Sequence, residues 1–219
     1  MHLISKLFIF CVMSAVIAHA QSSFQTNVNT AIPDDNPTGV SSTIDVEGLG
    51  PQLDDITLNL DIAGGFNGDL YAYLSHGSTG FAVLLNRVGK TTSNPFGYSD
   101  QGFHVILSDA ASLDIHNYGG NGGLPLMGTW QPDGRNIDPQ QVLDTTPRTA
   151  TFSSFLGSDP NGLWTLVVAD FAVGGGQAVL QSWAMNLTPA TVPEPGAGQL
   201  FLTMAGTGLF QYLRRRRVS

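Results

Sequence analysis

Ile56-Thr57-Leu58-Asn59-Leu60-Asp61-Ile62 alternates apolar and polar residues without a break. A strand points successive side chains to opposite faces, so this stretch buries one aliphatic face and shows water a polar one. The same pattern continues on both sides. Ile44 and Val46 begin a strand upstream, after Pro33 and Pro37 bracket a turn at Asp34-Asp35-Asn36. Downstream, a Gly-rich turn at 63–68 leads to strands predicted at 69–74, 81–85 and 103–107. Leu163-Trp164-Thr165-Leu166-Val167-Val168 is a strongly apolar strand, and Gly174-Gly175-Gly176 predicts a hairpin turn. The closing strand, 179–187, sets Trp183, Met185 and Leu187 on one face. Residues 110–148 are rich in Gly and Pro, have no period, and predict an elaborated loop with short elements. There is no internal repeat and no helical pattern. The expected fold is all-β, an antiparallel β-sandwich of about eight strands over residues 41–188, preceded by a polar lead-in at 21–40 that supplies at most an edge strand.

Composition narrows the function classes. The chain has 219 residues, of which 26 are Gly, and its one cysteine is Cys11. With Cys11 in an export signal, the exported domain is expected to hold no disulfide, thiolate metal site or cysteine nucleophile. Between residues 21 and 192 the cations are Arg87, Lys90, Arg135 and Arg148, four against sixteen carboxylates, a balance of −12. Such a domain repels a polyanion, which argues against nucleic acid as a partner.

The ends read as addresses. Residues 1–20 have a basic start at Lys6, an apolar run over 7–17 and the small-residue site Ala18-His19-Ala20, which together predict a signal peptide. After a Pro-rich linker at 189–195, residues 196–213 are apolar but short for a bilayer span, and Arg214 to Arg217 follow. The arginines would stay on the cytoplasmic side. Val192-Pro193-Glu194-Pro195, the apolar span and the Arg run together resemble the PEP-CTERM sorting signal of Gram-negative bacteria. The resemblance implies an exosortase-type sorting enzyme as a partner. Residues 196–219 would then be a temporary transmembrane anchor and tail, and the protein would end on the cell surface or in the exopolysaccharide matrix.

A second resemblance covers residues 25–188. Gly68-Asp69-Leu70 follows an alternating strand, and Phe103 to Asp109 form an aromatic-led strand ending in an acid. Phe155-Leu156-Gly157-Ser158-Asp159-Pro160-Asn161-Gly162-Leu163-Trp164-Thr165-Leu166 leads to Asp170, Gly176, Leu180, Trp183 and Leu187. This resembles the close of the P domain, or Homo B domain, of subtilisin-like proprotein convertases, here without the catalytic domain. It implies a jelly-roll-like, galactose-binding-like sandwich. Two positions depart from the family pattern, Gly64 in place of a His and His76 in place of a Pro.

Catalytic motifs are missing. No G-x-S-x-G, H-E-x-x-H, P-loop or dinucleotide fingerprint occurs. Once His2 and His19 leave with the signal peptide, His76, His104 and His116 remain, in a predicted turn, strand and loop. A glycosidase pair drawn from Asp54, Asp55, Asp109, Asp114, Asp133 and Asp138 needs a fixed separation in a cleft, whereas turn aspartates usually bond nearby backbone. Calcium, which takes six to eight oxygen ligands, is the cation these carboxylates suit best. Its candidate ligands are Asp34, Asp35 and Asn36 in the lead-in turn, Asp69 at the start of a strand and Asp170 at the end of another, since strand-end aspartates from different hairpins could converge on one rim. Trp164 and Trp183 are expected in the core, and Trp130 with Tyr118 on a ligand surface for exopolysaccharide. The expected function is an exported, non-catalytic structural or adhesive module. The alternatives are a carbohydrate-binding module or an accessory to a separate subtilisin-like serine endopeptidase. Proteolysis would then be associated by family only, since fold kinship does not carry chemistry.

Overall fold

The computed structural model describes residues 20–77 and 80–191. The predicted signal peptide and sorting tail lie outside the described residues. Nine strands form: β1 (Ser22–Ile32), β2 (Asn36–Val46), β3 (Leu53–Ala63), β4 (Leu70–His76), β5 (Gly80–Asn86), β6 (Gly102–Leu107), β7 (Leu126–Trp130), β8 (Gly162–Asp170) and β9 (Ala178–Pro189). The described residues contain no α-helix, and none is long and apolar enough to cross a membrane. Short 3-10 turns occur at Asn67–Asp69, Ile115–Asn117 and Phe152–Phe155.

Two sheets face each other. One runs β1-β9-β3-β6-β7 and the other β2-β8-β4-β5. The alternating stretch is central in the first: Ile56, Leu58, Leu60 and Ile62 are all buried, facing Trp164, Leu166 and Val168 of β8 in one core. β9 keeps its apolar face through a register shift that lets Leu180 and Trp183 both point inward. The fold is the all-β sandwich expected from the alternation.

Four details differ from the sequence reading. There are nine strands against about eight, because β7 has no period-2 run; β1 is the edge strand that the lead-in could supply. The lead-in at 21–40 is part of the sandwich: β1 pairs with β9 from Ser22, and β2 starts at Asn36. Gly174 to Gly176 do not close a hairpin, since β8 lies between β2 and β4 while β9 lies between β1 and β3. Both edges of β8 are already bonded, so the chain has to cross to the other sheet. Finally, β7 pairs with β6 in parallel, so the sandwich is not wholly antiparallel.

The long loop has a structural task. β5 is an edge strand, yet Ala82, Val83, Leu84 and Leu85 are all fully buried. Residues 133–150 lie along it, with Asp133 N–H donating to Leu84 O at 3.0 Å and Gly134 N–H to Val83 O at 2.9 Å. Val83 N–H in turn donates to Ala150 O at 2.9 Å. The loop covers an edge that would otherwise present free backbone groups.

Candidate functional site

The four cations of the domain converge on the long loop. Arg87 donates to Gln140 Oε1 at 3.0 Å, and Lys90 Nζ donates to the carbonyls of Pro139 and Gln140. Arg135 reaches Asp114 Oδ2 at 2.8 Å and Asp144 O at 2.9 Å, and Arg148 reaches Pro132 O at 2.7 Å and Asp133 O at 3.0 Å. Arg87, Lys90 and Arg135 are buried and Arg148 is half-buried. Burial pushes the Lys90 ammonium and the Arg87 guanidinium below their usual ranges; neighbouring Arg87 adds to the effect on Lys90. The surface is therefore left with carboxylates.

His116 and Asp133 are fully buried, with Nδ1 and Oδ2 2.7 Å apart. The other ring nitrogen lies 3.1 Å from Lys90 O, so both face acceptor oxygens. Asp133 also accepts from Asn86 N–H at 3.2 Å and from Arg135 Nη1 at 3.3 Å. The pair resembles half of a hydrolytic triad, but the nitrogen a nucleophile would need is occupied and no solvent reaches the ring. It works as a clamp on the loop.

A second His–Asp pair, His104 Nδ1 and Asp61 Oδ1 at 2.9 Å, is part-exposed on the outer face of the larger sheet. It lies in an open groove of about 310 Å³ with Asn27 and Ser182. Register decides what this pair can do. The row across the sheet reads Asn27, Ser182, Asp61, His104. The carboxylate stands between hydroxyl and imidazole, and Ser182 and His104 are two strand spacings apart, roughly 9–10 Å. A relay needs the imidazole in the middle.

The remaining histidine, His76, stacks on Trp164 with ring centroids 4.3 Å apart and lies 3.1 Å from Asn161 O. It lays a flat ring on the core tryptophan, at the position where the P-domain pattern that the sequence resembles has a proline. Gly64 is likewise explained: its φ is +69°, and a Cβ there would lie 2.5 Å from Gln177 O. Of the carboxylates considered as a glycosidase pair, Asp54 and Asp55 lie on β3, Asp133 is buried in the clamp, and the others accept from backbone N–H groups. Asp109 accepts from Ser153 N–H at 2.9 Å, Asp114 from His116 N–H at 2.9 Å and Asp138 from Gln140 N–H at 2.8 Å.

Tyr118 and Trp130 do come together, 6.1 Å apart and edge to face, with Tyr98 4.4 Å beyond Tyr118. Their polar atoms serve the protein itself. Tyr118 donates to Asp100 Oδ2 at 2.7 Å and accepts from Asn67 at 3.2 Å, while Trp130 Nε1 donates to Met127 O at 2.9 Å. Burial pushes the Tyr118 phenol well above its usual range; Asp100 and Tyr98 add to the effect, and the hydrogen bond donated by Asn67 opposes it. Both rings pack on the core as partly buried residues. Asp100 also accepts from the N–H groups of Asn121 and Gly123, at 2.7 and 2.6 Å, and so anchors the Gly-rich segment.

Of the five rim candidates, Asp34, Asp69 and Asp170 lie within electrostatic reach of one another. Asp34 accepts from Gly174 N–H at 3.0 Å, linking the β1–β2 turn to the β8–β9 crossing. Asp170 accepts from Ala172 N–H at 3.0 Å. Burial pushes Asp69 up to about 7, the charges of Asp170 and Asp34 push the same way, and Arg87 opposes them. Burial and Asp34 also raise Asp170, against the N–H groups of Ala172 and Asp35 and the charge of Arg87. Asn36 turns aside, its Oδ1 accepting from Thr38 N–H at 2.9 Å. Asp35 lies in the left-handed region with φ +49°. Among the described residues, no group of three or more His, Cys, Asp or Glu side chains is placed to hold a metal ion. The nearest cation is Arg87, with Nη2 3.9 Å from Asp69 Oδ1.

No protein-family model matches the chain. No curated protein matches it either. Among solved structures it is similar to the serine protease of Aeromonas sobria in complex with its chaperone, at 15% identity and TM-score 0.46. The same protease alone gives 15% identity and TM-score 0.45. Both alignments cover 82% of this chain and 28% of the matched one, so this chain spans little more than a quarter of that length.

Proposed function

We propose that this chain is an exported, non-catalytic sandwich module of the P-domain kind that acts by shape and surface charge at the cell surface or in its matrix. One observation carries the reading: its polar chemistry is spent on holding itself together. The best His–Asp pair clamps a loop, sealed at 2.7 Å, and the four cations bind that same loop. The motif that resembles the P domain is likewise structural. Asn161 accepts from Leu49 N–H at 2.9 Å and donates to Leu49 O at 3.0 Å, and Trp164 Nε1 donates to Pro160 O at 2.9 Å. The sorting-signal resemblance adds the destination, with an exosortase-type enzyme acting on the tail. Two measurements test the proposal together. The purified chain is expected to release no product from casein or fluorogenic peptides, and cell fractionation is expected to find it in the surface or matrix fraction. Peptide turnover that co-purifies with the chain and is lost in a His104→Ala variant would overturn the non-catalytic reading. Retention in the cytoplasm would overturn the destination.

A further inference from the structure

Phe96 and Val173 are the two most exposed large apolar side chains of the described residues, at 75% and 80%. They flank one cleft of about 480 Å³, which Phe66 and Tyr98 also line, with Asp69 as its carboxylate. Exposed apolar groups are ordinary singly, but two around one cleft mark a contact surface. The walls are fixed. Gly68 N–H donates to Tyr98 O at 2.8 Å and Asn67 N–H to Asp100 O at 2.8 Å, which pins the 96–100 segment to the turn carrying Asp69. Gly175, at φ +76°, lies directly on the site, and a Cβ there would stand 2.8 Å from Asp69 Oδ2 and 2.9 Å from the Phe66 ring.

Charge says what fits. Asp69 lines the cleft, the charges of Asp170 and Asp34 on neighbouring elements reach it, and among the described residues Arg87 is the charge that opposes them. Arg87 is itself committed, donating to Gly68 O at 3.0 Å and to Gln140, and it is Asp69's ion-pair partner among the described residues only at 3.9 Å. Aromatic faces attract cations, and a carboxylate beside them adds a charge partner. We propose that this cleft captures a lysine or arginine side chain of a partner protein, with the aliphatic stem between Phe96 and Val173 and the cationic head at Asp69.

Proton linkage gives the site a second signature. Asp69, raised to about 7 by burial, Asp170 and Asp34 against Arg87, is part-protonated near neutrality. Tyr98 is the titratable group facing the cleft from the 96–99 segment. A cation prefers the ionised carboxylate, so capture strengthens as pH rises through about 7 and weakens below it.

The experiment titrates the isotope-labelled chain with short alanine-flanked peptides that carry one lysine, arginine or norleucine, and follows the amides of Gly97, Tyr98, Ala172 and Val173. Saturable shifts are expected with lysine and arginine, about tenfold weaker with norleucine and weaker again at about pH 5.5. Asp69→Asn is expected to lose the preference for lysine over norleucine. Should that variant fail to fold, Val173→Ser, on an exposed position, is expected to weaken all peptides about equally. Equal binding of lysine and norleucine, or no saturable shift with any peptide, overturns the proposal. So does calcium chloride moving these amides while the lysine peptide leaves them still, since the rim would then be a metal site.

Discussion

Trp164 in β8 and Asp133 in the long loop are both fully buried, but different forces hold them. Trp164 is wedged between Phe155, 4.9 Å away, and His76, 4.3 Å away, with its one polar atom bonded to Pro160 O. Asp133 is held by His116, Arg135 and the backbone of Asn86. Around the tryptophan, burial removes apolar area from water and needs no special partner. Around the aspartate, burial is affordable only because opposite charges and donors are already in place. The first arrangement tolerates neighbours of similar shape. The second fails when any member is removed.

Four experiments break or sharpen this contrast. Trp164→Ala should have the largest effect, roughly 3–5 kcal/mol of stability, lost from the whole domain in one urea transition. Asp133→Ala should cost about 3 kcal/mol, because His116 and Arg135 are left buried without their carboxylate. Its signature is regional. Hydrogen exchange should show Gly134 and Ala150 losing protection while Leu166 and Met185 keep theirs; uniform loss would erase the distinction between the two regions.

Asp69→Asn should go the other way at high pH. The folded-state pKa is raised to about 7, so between about 4 and 7 the native state holds more protons than the unfolded chain. Stability contributed by this group is therefore full below that window and lost as pH rises through it. The variant should gain about 1 kcal/mol at about pH 8 and nothing at about pH 4, read from thermal melts. A gain equal at both pH values would remove Asp69 as the cause. The smallest effect should be Phe96→Ser: at 75% exposure it should change stability by less than about 0.5 kcal/mol while abolishing peptide capture.

Legibility followed the same divide. β3, β8 and β9 were readable because a pleated strand converts residue type directly into facing, and Ile56 to Ile62 obey that rule without exception. β1 is legible only as an edge strand of undefined extent within 21–40, since it buries only Ile32 fully and its polar alternation looks like a linker. β7 was hidden by Gly128 and by its exposed Met127 and Thr129. Asp34, Asp69 and Asp170 stand out in the sequence as acids of one turn and two strand ends, whereas the aromatic wall does not. Phe66, Phe96 and Tyr98 lie in separate turns, and no local pattern marks side chains that meet only after folding.

Alternation, turn chemistry and one tryptophan motif were enough to determine an all-β sandwich, because each acts through neighbours a few residues apart. The placement of charge was different. Which sheet β9 joins, which carbonyls Lys90 reaches and which acids share Arg87 depend on contacts between distant segments, such as Lys90 with Gln140 and Asp34 with Gly174. Coulomb and hydrogen-bond terms act between positions in space, and only the tertiary structure supplies those positions.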